Sequence, residues 1–154
     1  MLNQAYLIRK MTEQDLDELM TIEKESFTLP WSRQSYQAEL HNQYADYLVC
    51  DWQGEVAAYA GMWTVFEEAH ITNIAVSRKF RHQGMGRILM LEEEKIALAK
   101  KAIRILLEVR PSNLAALTMY NELGYVPTSV RKQYYADNQE DAIVMTKYLY
   151  QAKV

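Results

Sequence analysis

The sequence contains little cysteine, proline or glycine. Its 154 residues include one cysteine, three prolines and five glycines. The lone Cys50 excludes an internal disulfide and a cysteine-based zinc cluster. The prolines and glycines do not cluster as in an inter-domain hinge, and the chain has no internal repeat or low-complexity tract. Because a chain of this length buries a core without cross-links, we expect one domain over residues 1–154.

Long apolar runs and an excess of one charge are also missing. No apolar stretch approaches the roughly 20 residues of a membrane-spanning helix, which excludes an integral membrane protein. The first residues lack the basic and apolar segments of an export signal. The 17 Lys and Arg nearly balance the 20 Asp and Glu, which excludes a dedicated nucleic-acid binder and an acidic disordered tail. We therefore expect a cytoplasmic globular protein that contacts neither membrane nor nucleic acid directly.

Tyrosine is plentiful by contrast, with 11 Tyr against 3 Phe. Its side chain combines an apolar ring with a polar hydroxyl, which suits surfaces that bind ligands. Two of these residues, Tyr134 and Tyr135, are adjacent and close to the end of the chain.

The spacing of apolar residues predicts a mixed α/β or α+β fold. Helical spacing follows the potential N-caps Thr12 and Ser32, and it recurs over residues 87–101 and 113–123, where Gly124 ends the last helix. Strands are expected over residues 6–9, 47–51, 55–65, 70–76, 103–109, 125–135 and 142–149. The resulting order is β-α-α-β-β-β-α-β-α-β-β.

A basic loop over residues 77–86 joins the fourth predicted strand to a helix. Its last part and the first helical residue read Arg81-His82-Gln83-Gly84-Met85-Gly86-Arg87. Backbone N–H groups and the helix dipole at such a position bind phosphate, and glycines let the backbone approach an anion closely. The pattern lacks the Gly-Lys-Ser/Thr of a Walker loop and the third glycine of the dinucleotide motif. On the glycines alone, an ordinary solvated turn is an equally good interpretation.

Several blocks together resemble one family. Asn73-Ile74-Ala75-Val76 followed by Arg81-x-x-Gly84-x-Gly86 resembles the acetyl-CoA motif of the GNAT N-acetyltransferase superfamily. The other blocks resemble its RimI branch, the ribosomal-protein-alanine N-acetyltransferases. These are Phe27-x-x-Pro30-Trp31-Ser32, Leu107-Glu108-Val109-Arg110-Pro111-Ser112-Asn113, Tyr120-x-x-Leu123-Gly124-Tyr125 and Tyr134-Tyr135 followed by Glu140-Asp141-Ala142 and Met145. Ser77-Arg78, where a proline often follows, and Tyr125, where Phe is usual, depart from the pattern.

The resemblance implies a fold and a cosubstrate site. The fold would be a central mixed sheet of about seven strands with one splayed pair, flanked by about four helices. Acetyl-CoA would lie between the strands that end at Val76 and Val109, and the N–H groups from His82 to Arg87 would bind its pyrophosphate. Asn113 would also contact the coenzyme, and this role is compatible with that of a helix N-cap. The backbone of Ile74, Ala75 and Val76 would orient the pantetheine arm and the acetyl carbonyl.

The resemblance also implies catalytic roles for Glu108 and Tyr120. An N-terminal α-amine has a pKa near 7.7–8.0, so it is largely protonated at neutral pH and needs a general base. Glu108 closes an apolar run, where desolvation would raise its pKa. Its alternative role is a strand-end carboxylate paired with Arg110 or Arg104. Tyr120 would protonate the departing CoA thiolate, and its alternative role is a core or rim tyrosine.

The acceptor implied by the resemblance is the N-terminal alanine of a basic ribosomal protein. Tyr134 and Tyr135 would line the slot for its backbone, or else they pack in the core. Scattered histidines (His41, His70 and His82) give no reason to expect a metal. Two other functions remain open: acetylation of a small-molecule amine, and CoA binding without catalysis. The oligomeric state is open, a monomer being one option. Acidic residues bordering the groove would attract the acceptor, unless they form a solvated face: Glu39, Asp46, Glu67 and Glu68.

Overall fold

The computed structural model describes residues 5–149, and its elements follow the predicted order. Within this range there are four α-helices: α1 (Leu16–Ser26), α2 (Arg33–Leu40), α3 (Met85–Ala99) and α4 (Leu114–Glu122). The seven strands are β1 (Tyr6–Lys10), β2 (Ala45–Trp52), β3 (Glu55–Val65), β4 (Glu68–Val76), β5 (Arg104–Val109), β6 (Val126–Arg131) and β7 (Ala142–Tyr148). They form one sheet in the order β1-β2-β3-β4-β5-β7-β6. The prediction of a mixed sheet is confirmed.

The chain divides into two compact units. The first runs to Trp63 and includes Ile71–Ile96, and the second contains Thr64–His70 and continues from Ala97. The boundaries therefore fall inside β4 and α3. The expectation of one domain over residues 1–154 stays a prediction.

In the first unit, β2 contributes to two apolar clusters through alternate residues. Tyr47 and Val49 belong to one cluster, whereas Leu48 and Cys50 belong to the other. This is the alternation that a strand requires when both of its faces are covered. The first cluster includes Leu16, Leu19 and Ile22 of α1 and Tyr36 of α2, and the second includes Met85 and Leu89 of α3.

In the second unit, β4 and β5 run parallel but pair only at their first three residues, Glu68–His70 with Arg104–Leu106. The predicted splayed pair is thus confirmed. β7 pairs with β5 along all six residues of that strand, in antiparallel register, and with β6 on its other side. Buried and half-buried residues alternate along β5, and Glu108 is one of the half-buried ones.

The boundaries predicted for the third helix were wrong by two residues at each end. Residues 87–101 were expected, whereas α3 spans Met85–Ala99. The helix begins early because the side chain of Met85 is buried in the second apolar cluster. It ends early because Lys101 has a φ of 67°, in the left-handed region, and Ala102 N–H donates to Ala97 O in a Schellman-like end.

The strand predicted over residues 125–135 was also too long, since β6 ends at Arg131. Gln133 has a φ of 50°, which no strand residue adopts. Asp141 accepts a hydrogen bond of 2.9 Å from Gln133 N–H, which stabilises the turn. Tyr134 and Tyr135 therefore lie in the connection between β6 and β7.

The predicted helix caps are largely confirmed. Ser32 caps α2, its Oγ accepting Ser35 N–H at 3.1 Å. Thr12 forms a capping box with Asp15, but it caps a short 3-10 helix, and α1 begins only at Leu16. Gly124 directly follows Leu123, the C-cap residue of α4, and has a φ of 99°. A glycine in the left-handed region is common at this position after a helix.

Candidate active site

The loop before α3 presents the start of a helix. Arg81 Nε donates to the carbonyl of Val76, the last residue of β4, at 3.2 Å. His82 and Gly84 both have φ in the left-handed region, 64° and 82°. Ile88 N–H donates to Gly84 O at 3.1 Å, which begins the helical hydrogen bonding. The N–H groups of the preceding turn have no acceptor within the helix, as at every helix start.

This loop fits a phosphate group. A Cβ added at Gly84 would meet nothing within 4 Å, so the space beside this backbone is open. Arg81, His82 and Gln83 are exposed, whereas Arg87 is half-buried. Gly86, expected to close the loop, lies inside α3 instead. An anion would meet N–H groups of the first helical turn and the positive end of the α3 dipole here.

The side chains at the end of β4 pack against the two apolar clusters of the first unit. Ile74 and Val76 pack against the second apolar cluster, and the buried side chain of Ala75 belongs to the first. Ile74 and Val76 are half-buried and Ala75 is buried. The backbone role that the resemblance implies for these three residues stays a prediction.

In the second unit, Glu108 lies among three neighbouring side chains. Its Oε1 is 2.7 Å from Nε2 of His70, on β4. Its Oε2 is 3.9 Å from Nε of Arg131, at the end of β6. The Glu108 side chain is only 10% exposed. The charge of Glu108 also contributes to raising the pKa of the Tyr134 hydroxyl, after the larger effect of burial.

The partners expected for Glu108 in its alternative role are engaged elsewhere. Arg104 Nε lies 3.8 Å from Glu68. Arg110 contacts Asp137 at 2.8 Å and Glu140 at 3.2 Å. Glu108 is therefore not the structural ion-pair partner of either arginine.

Arg110, which follows β5, contacts the connection between β6 and β7 through several side chains. In addition to its ion pairs with Asp137 and Glu140, its guanidinium stacks on Tyr135, 3.9 Å from the ring centre. Glu140 in turn accepts hydrogen bonds from the N–H and Oγ of Ser112, and these hold its pKa below the ordinary value. Burial raises the pKa of Tyr135 to about 12. Tyr134, by contrast, is 44% exposed and contacts the Tyr135 ring edge-on, with 5.1 Å between the ring centroids.

Tyr120 is buried near the end of α4. Its ring lies 5.9 Å from that of Tyr125, in a tilted arrangement. Burial, with a smaller effect of Tyr135, raises the pKa of its hydroxyl above the ordinary value, so the phenol stays protonated at neutral pH. Asn113 caps α4 by accepting Ala116 N–H at 3.2 Å, which confirms the N-cap. Asn113 is exposed, unlike Tyr120.

The sequence matches the profile of the Acetyltransferase (GNAT) family over residues 16–125. The chain belongs to the GNAT acetyltransferase family. A Bacillus subtilis (strain 168) protein, provisionally named [ribosomal protein bS18]-alanine N-acetyltransferase, is 42% identical over 139 residues, covering 90% of this chain and 92% of that protein. The Escherichia coli (strain K12) protein of that name is 36% identical over 141 residues, covering 90% and 94%. The crystal structure of the ribosomal-protein-S18-alanine N-acetyltransferase from Escherichia coli superposes with a TM-score of 0.87, at 30% identity and 96% coverage of both chains.

The acidic residues considered for this GNAT enzyme's groove lie in different environments. Glu39 is buried and accepts hydrogen bonds from Trp63 Nε1 at 2.8 Å and from Tyr47 at 3.2 Å. It is therefore part of the interior rather than an exposed attractor. Glu68 pairs with Arg104, Asp46 is half-buried and Glu67 is exposed.

His70 is the site residue that the sequence argument missed. It was grouped with two other histidines as scattered, and its contact with Glu108 joins residues 38 positions apart. The contact follows from strand register: His70 pairs with Leu106, and Glu108 is two residues further along β5 on the same face. Only knowledge of that register would have revealed it.

Metal and membrane features can be described for residues 5–149 only. In that range, no three His, Cys, Asp or Glu side chains meet as metal ligands would. Every helix there is too short or too polar to cross a membrane. The expectation that the reaction needs no metal stays a prediction.

Proposed function

We propose that this GNAT enzyme transfers an acetyl group from acetyl-CoA to the α-amine of an N-terminal alanine, that of ribosomal protein bS18. The relatives at 42% and 36% identity carry the name of this activity and match nearly their whole length. The observation that carries the chemistry is the Glu108 carboxylate. It is 10% exposed, closes a strand and has one oxygen without a close hydrogen-bond donor among the described residues. The reaction would take place in the cytoplasm, where ribosomal proteins are made.

The loop before α3 would hold the cosubstrate. N–H groups from His82 to Arg87 would contact the pyrophosphate of acetyl-CoA, and Gly84 would let it approach the backbone. Support comes from the left-handed φ and the open space at Gly84. Arg81 and Arg87 would add positive charge, and the β4 backbone at Ile74, Ala75 and Val76 would orient the acetyl arm. Asn113 would contact the coenzyme from the start of α4.

Glu108 would act as general base. Its carboxylate would take a proton from the ammonium form of the acceptor, which frees the lone pair of the nitrogen. That nitrogen attacks the thioester carbonyl, so a C–N bond forms as the C–S bond breaks. The second proton of the nitrogen leaves to solvent, which gives the neutral amide, and Glu108 also releases its proton to solvent. The position of Glu108 near the end of β5, its 10% exposed side chain and the lack of a close donor at Oε2 among the described residues support this role.

Tyr120 would act as general acid toward the departing CoA thiolate. Its hydroxyl is protonated at neutral pH, since burial raises its pKa. Proton donation to sulfur would stabilise the leaving group as the C–S bond breaks. Tyr120 then regains its proton from solvent, so the enzyme returns to its starting state.

The acceptor would be an unblocked peptide end. Tyr134, which is exposed and adjacent to the firmly held Tyr135, would contact the peptide backbone. No direct contact with nucleic acid or membrane is part of the proposal, and a monomer would suffice for it.

A comparison of acceptors tests the proposed function. Purified enzyme with acetyl-CoA would be offered an Ala-initiated peptide from bS18, the same peptide with a blocked α-amine, and a polyamine. We expect acetylation of the free peptide alone. Transfer mainly to the polyamine would favour the small-molecule alternative, and binding of acetyl-CoA without any transfer would favour a catalytically silent module.

A further inference from the structure

His70, on β4, contacts the proposed general base Glu108, which lies on the neighbouring strand β5. Its Nε2 lies 2.7 Å from Oε1 of Glu108, a length typical of a charge-assisted hydrogen bond. The two residues are brought together by parallel pairing of β4 and β5, so each is fixed on a sheet rather than on a loop. The His70 side chain is 33% exposed, whereas that of His41, which lies 3.8 Å from Glu13, is 78% exposed.

The hydrogen in this contact belongs to His70 whenever Glu108 can act as a base. An ionised carboxylate only accepts hydrogen bonds, so a nitrogen 2.7 Å away must carry the proton. His70 then binds Oε1, and Oε2 is the oxygen that receives no hydrogen bond from a described residue. Arg131 Nε, at 3.9 Å, is beyond hydrogen-bond length from Oε2 and is mostly exposed.

The other charged groups around this pair in the second unit do not replace His70. Arg104 is paired with Glu68, and Arg110 is paired with Asp137 and Glu140. Tyr134 is a neutral neighbour, whose pKa burial raises. Among the described residues of this unit, His70 alone has a donor within hydrogen-bond distance of the Glu108 carboxylate.

We propose that His70 is a positioning residue for acetyl transfer: its Nε2–H fixes Glu108 Oε1, so that Oε2 faces the acceptor amine as the proton-accepting atom. This inference rests on the proposed role of Glu108 as general base. A glutamate side chain has three rotatable bonds, and without this hydrogen bond Oε2 would sample positions out of reach of the amine. A displacement of about 1 Å at such an atom can reduce the rate by about 10²-fold.

The test is a double-mutant cycle measured as kcat on the Ala-initiated peptide. His70→Ala and His70→Asn remove the hydrogen bond, since the asparagine amide is one methylene too short. We expect both to lower kcat by about tenfold to 100-fold with little change in the KM for acetyl-CoA. His70→Gln places an amide N–H at nearly the same reach, and we expect its kcat within about threefold of wild type. His41→Ala, at the exposed histidine–glutamate pair, is the matched control and should leave kcat unchanged.

The Glu108→Gln background separates positioning from a general structural effect. If His70 acts through Glu108, adding His70→Ala to Glu108→Gln should cause little further loss. A further loss as large as in the wild-type background would overturn the proposal, and so would wild-type kcat in both His70→Ala and His70→Asn. Thermal unfolding of each variant identifies any that fails to fold, and His70→Asn then carries the test. Near wild-type kcat in Glu108→Gln alone would contradict the proposed role of Glu108 as general base, and with it the role of His70. Absence of transfer by the wild-type enzyme would instead contradict the proposed function.

Discussion

At the scale of single residues, Gly84 combines an unusual backbone with an open space. Its φ of 82° and the empty volume beside it suit the approach of a phosphate. We expect Gly84→Ala to weaken acetyl-CoA binding by about tenfold or more, equivalent to about 1.4 kcal/mol, because a methyl group would occupy the space of the pyrophosphate. Isothermal titration calorimetry measures the Kd.

Gly54 provides a matched control for this substitution. It has a φ of 91° in the β2–β3 turn, and a Cβ added there would also meet nothing within 4 Å. Gly54→Ala should therefore carry the same backbone strain, about 1–2 kcal/mol, without a change in acetyl-CoA affinity. Equal Kd values for the two variants would show that the loop does not bind the cosubstrate.

Tyr120 can be tested by removing its hydroxyl alone. If it protonates the thiolate, Tyr120→Phe should lower kcat by at least about tenfold, or about 1.4 kcal/mol of barrier. The KM for acetyl-CoA should change much less, because the lost interaction belongs to the transition state. Steady-state kinetics measures both. Tyr125→Phe, in the neighbouring buried ring, is the control.

A different result would assign Tyr120 to packing. In that case, Tyr120→Phe would lower the melting temperature or weaken coenzyme binding while kcat stayed near wild type. Solvent would then be the proton source for the thiolate.

At the scale of elements, a buried carboxylate ties α1 to its neighbours. Glu23 Oε1 accepts the hydroxyls of Tyr36 at 2.6 Å and of Tyr59, and Oε2 accepts Trp31 N–H at 2.8 Å. Asn73 of β4 extends the network by donating to the Tyr36 hydroxyl at 3.1 Å. The network thus connects α1 with α2, β3, β4 and the segment before Ser32.

We expect Glu23→Gln to destabilise the protein by about 1–3 kcal/mol, because an amide NH₂ would face a donor already aimed at this position. Urea unfolding measures the free energy. Glu13→Gln, at an exposed residue, should change it by less than about 0.5 kcal/mol. Similar effects of the two substitutions would contradict the structural role of the network.

Another link between elements is sensitive to pH. Asp15 is buried, which by itself raises its pKa, but hydrogen bonds from Arg9 at 2.8 and 2.9 Å and from Thr12 N–H outweigh that effect and lower the pKa. A lowered pKa means that the stabilisation is complete above the unfolded value of about 3.9 and is lost as the pH falls through the folded one.

We therefore expect the stability difference between wild type and Asp15→Asn to be constant from neutral pH down to about pH 5 and to shrink below that. Chemical unfolding at a series of pH values measures it. A difference that stays constant down to about pH 2 would show that the Arg9–Asp15 pair does not contribute through charge.

At the scale of the whole molecule, the order of the elements could be predicted from apolar spacing together with residues that begin or end helices, such as Ser32 and Gly124. The exact ends of α3 and β6 could not be predicted. Lys101 and Gln133, just after these ends, adopt positive φ, and nothing in their residue types indicates this. Contacts between residues distant in the sequence could not be predicted either. Glu39 resembles any surface glutamate in sequence, yet it is buried by Tyr47 and Trp63.

Some parts of the candidate site could also be predicted from the sequence, whereas others could not. The loop before α3 could be singled out from the sequence because glycines and basic residues stand between a predicted strand and a predicted helix, and because the surrounding blocks resemble a known family. The glycines alone would also fit a solvated turn. The contact between His70 and Glu108 was not, because it depends on how two distant strands pair.

The acetylation state of bS18 in the source organism tests the central claim most directly. Intact-mass and tandem mass spectrometry of bS18 would compare three strains. These are a strain lacking this gene, the same strain complemented with the wild-type enzyme, and the same strain complemented with the Glu108→Gln variant. We expect a single acetyl group on the α-amine of the N-terminal alanine with wild type, and an unmodified end in the deletion strain and with a folded Glu108→Gln variant. Acetylated bS18 in the deletion strain, or full acetylation by Glu108→Gln, would contradict the account.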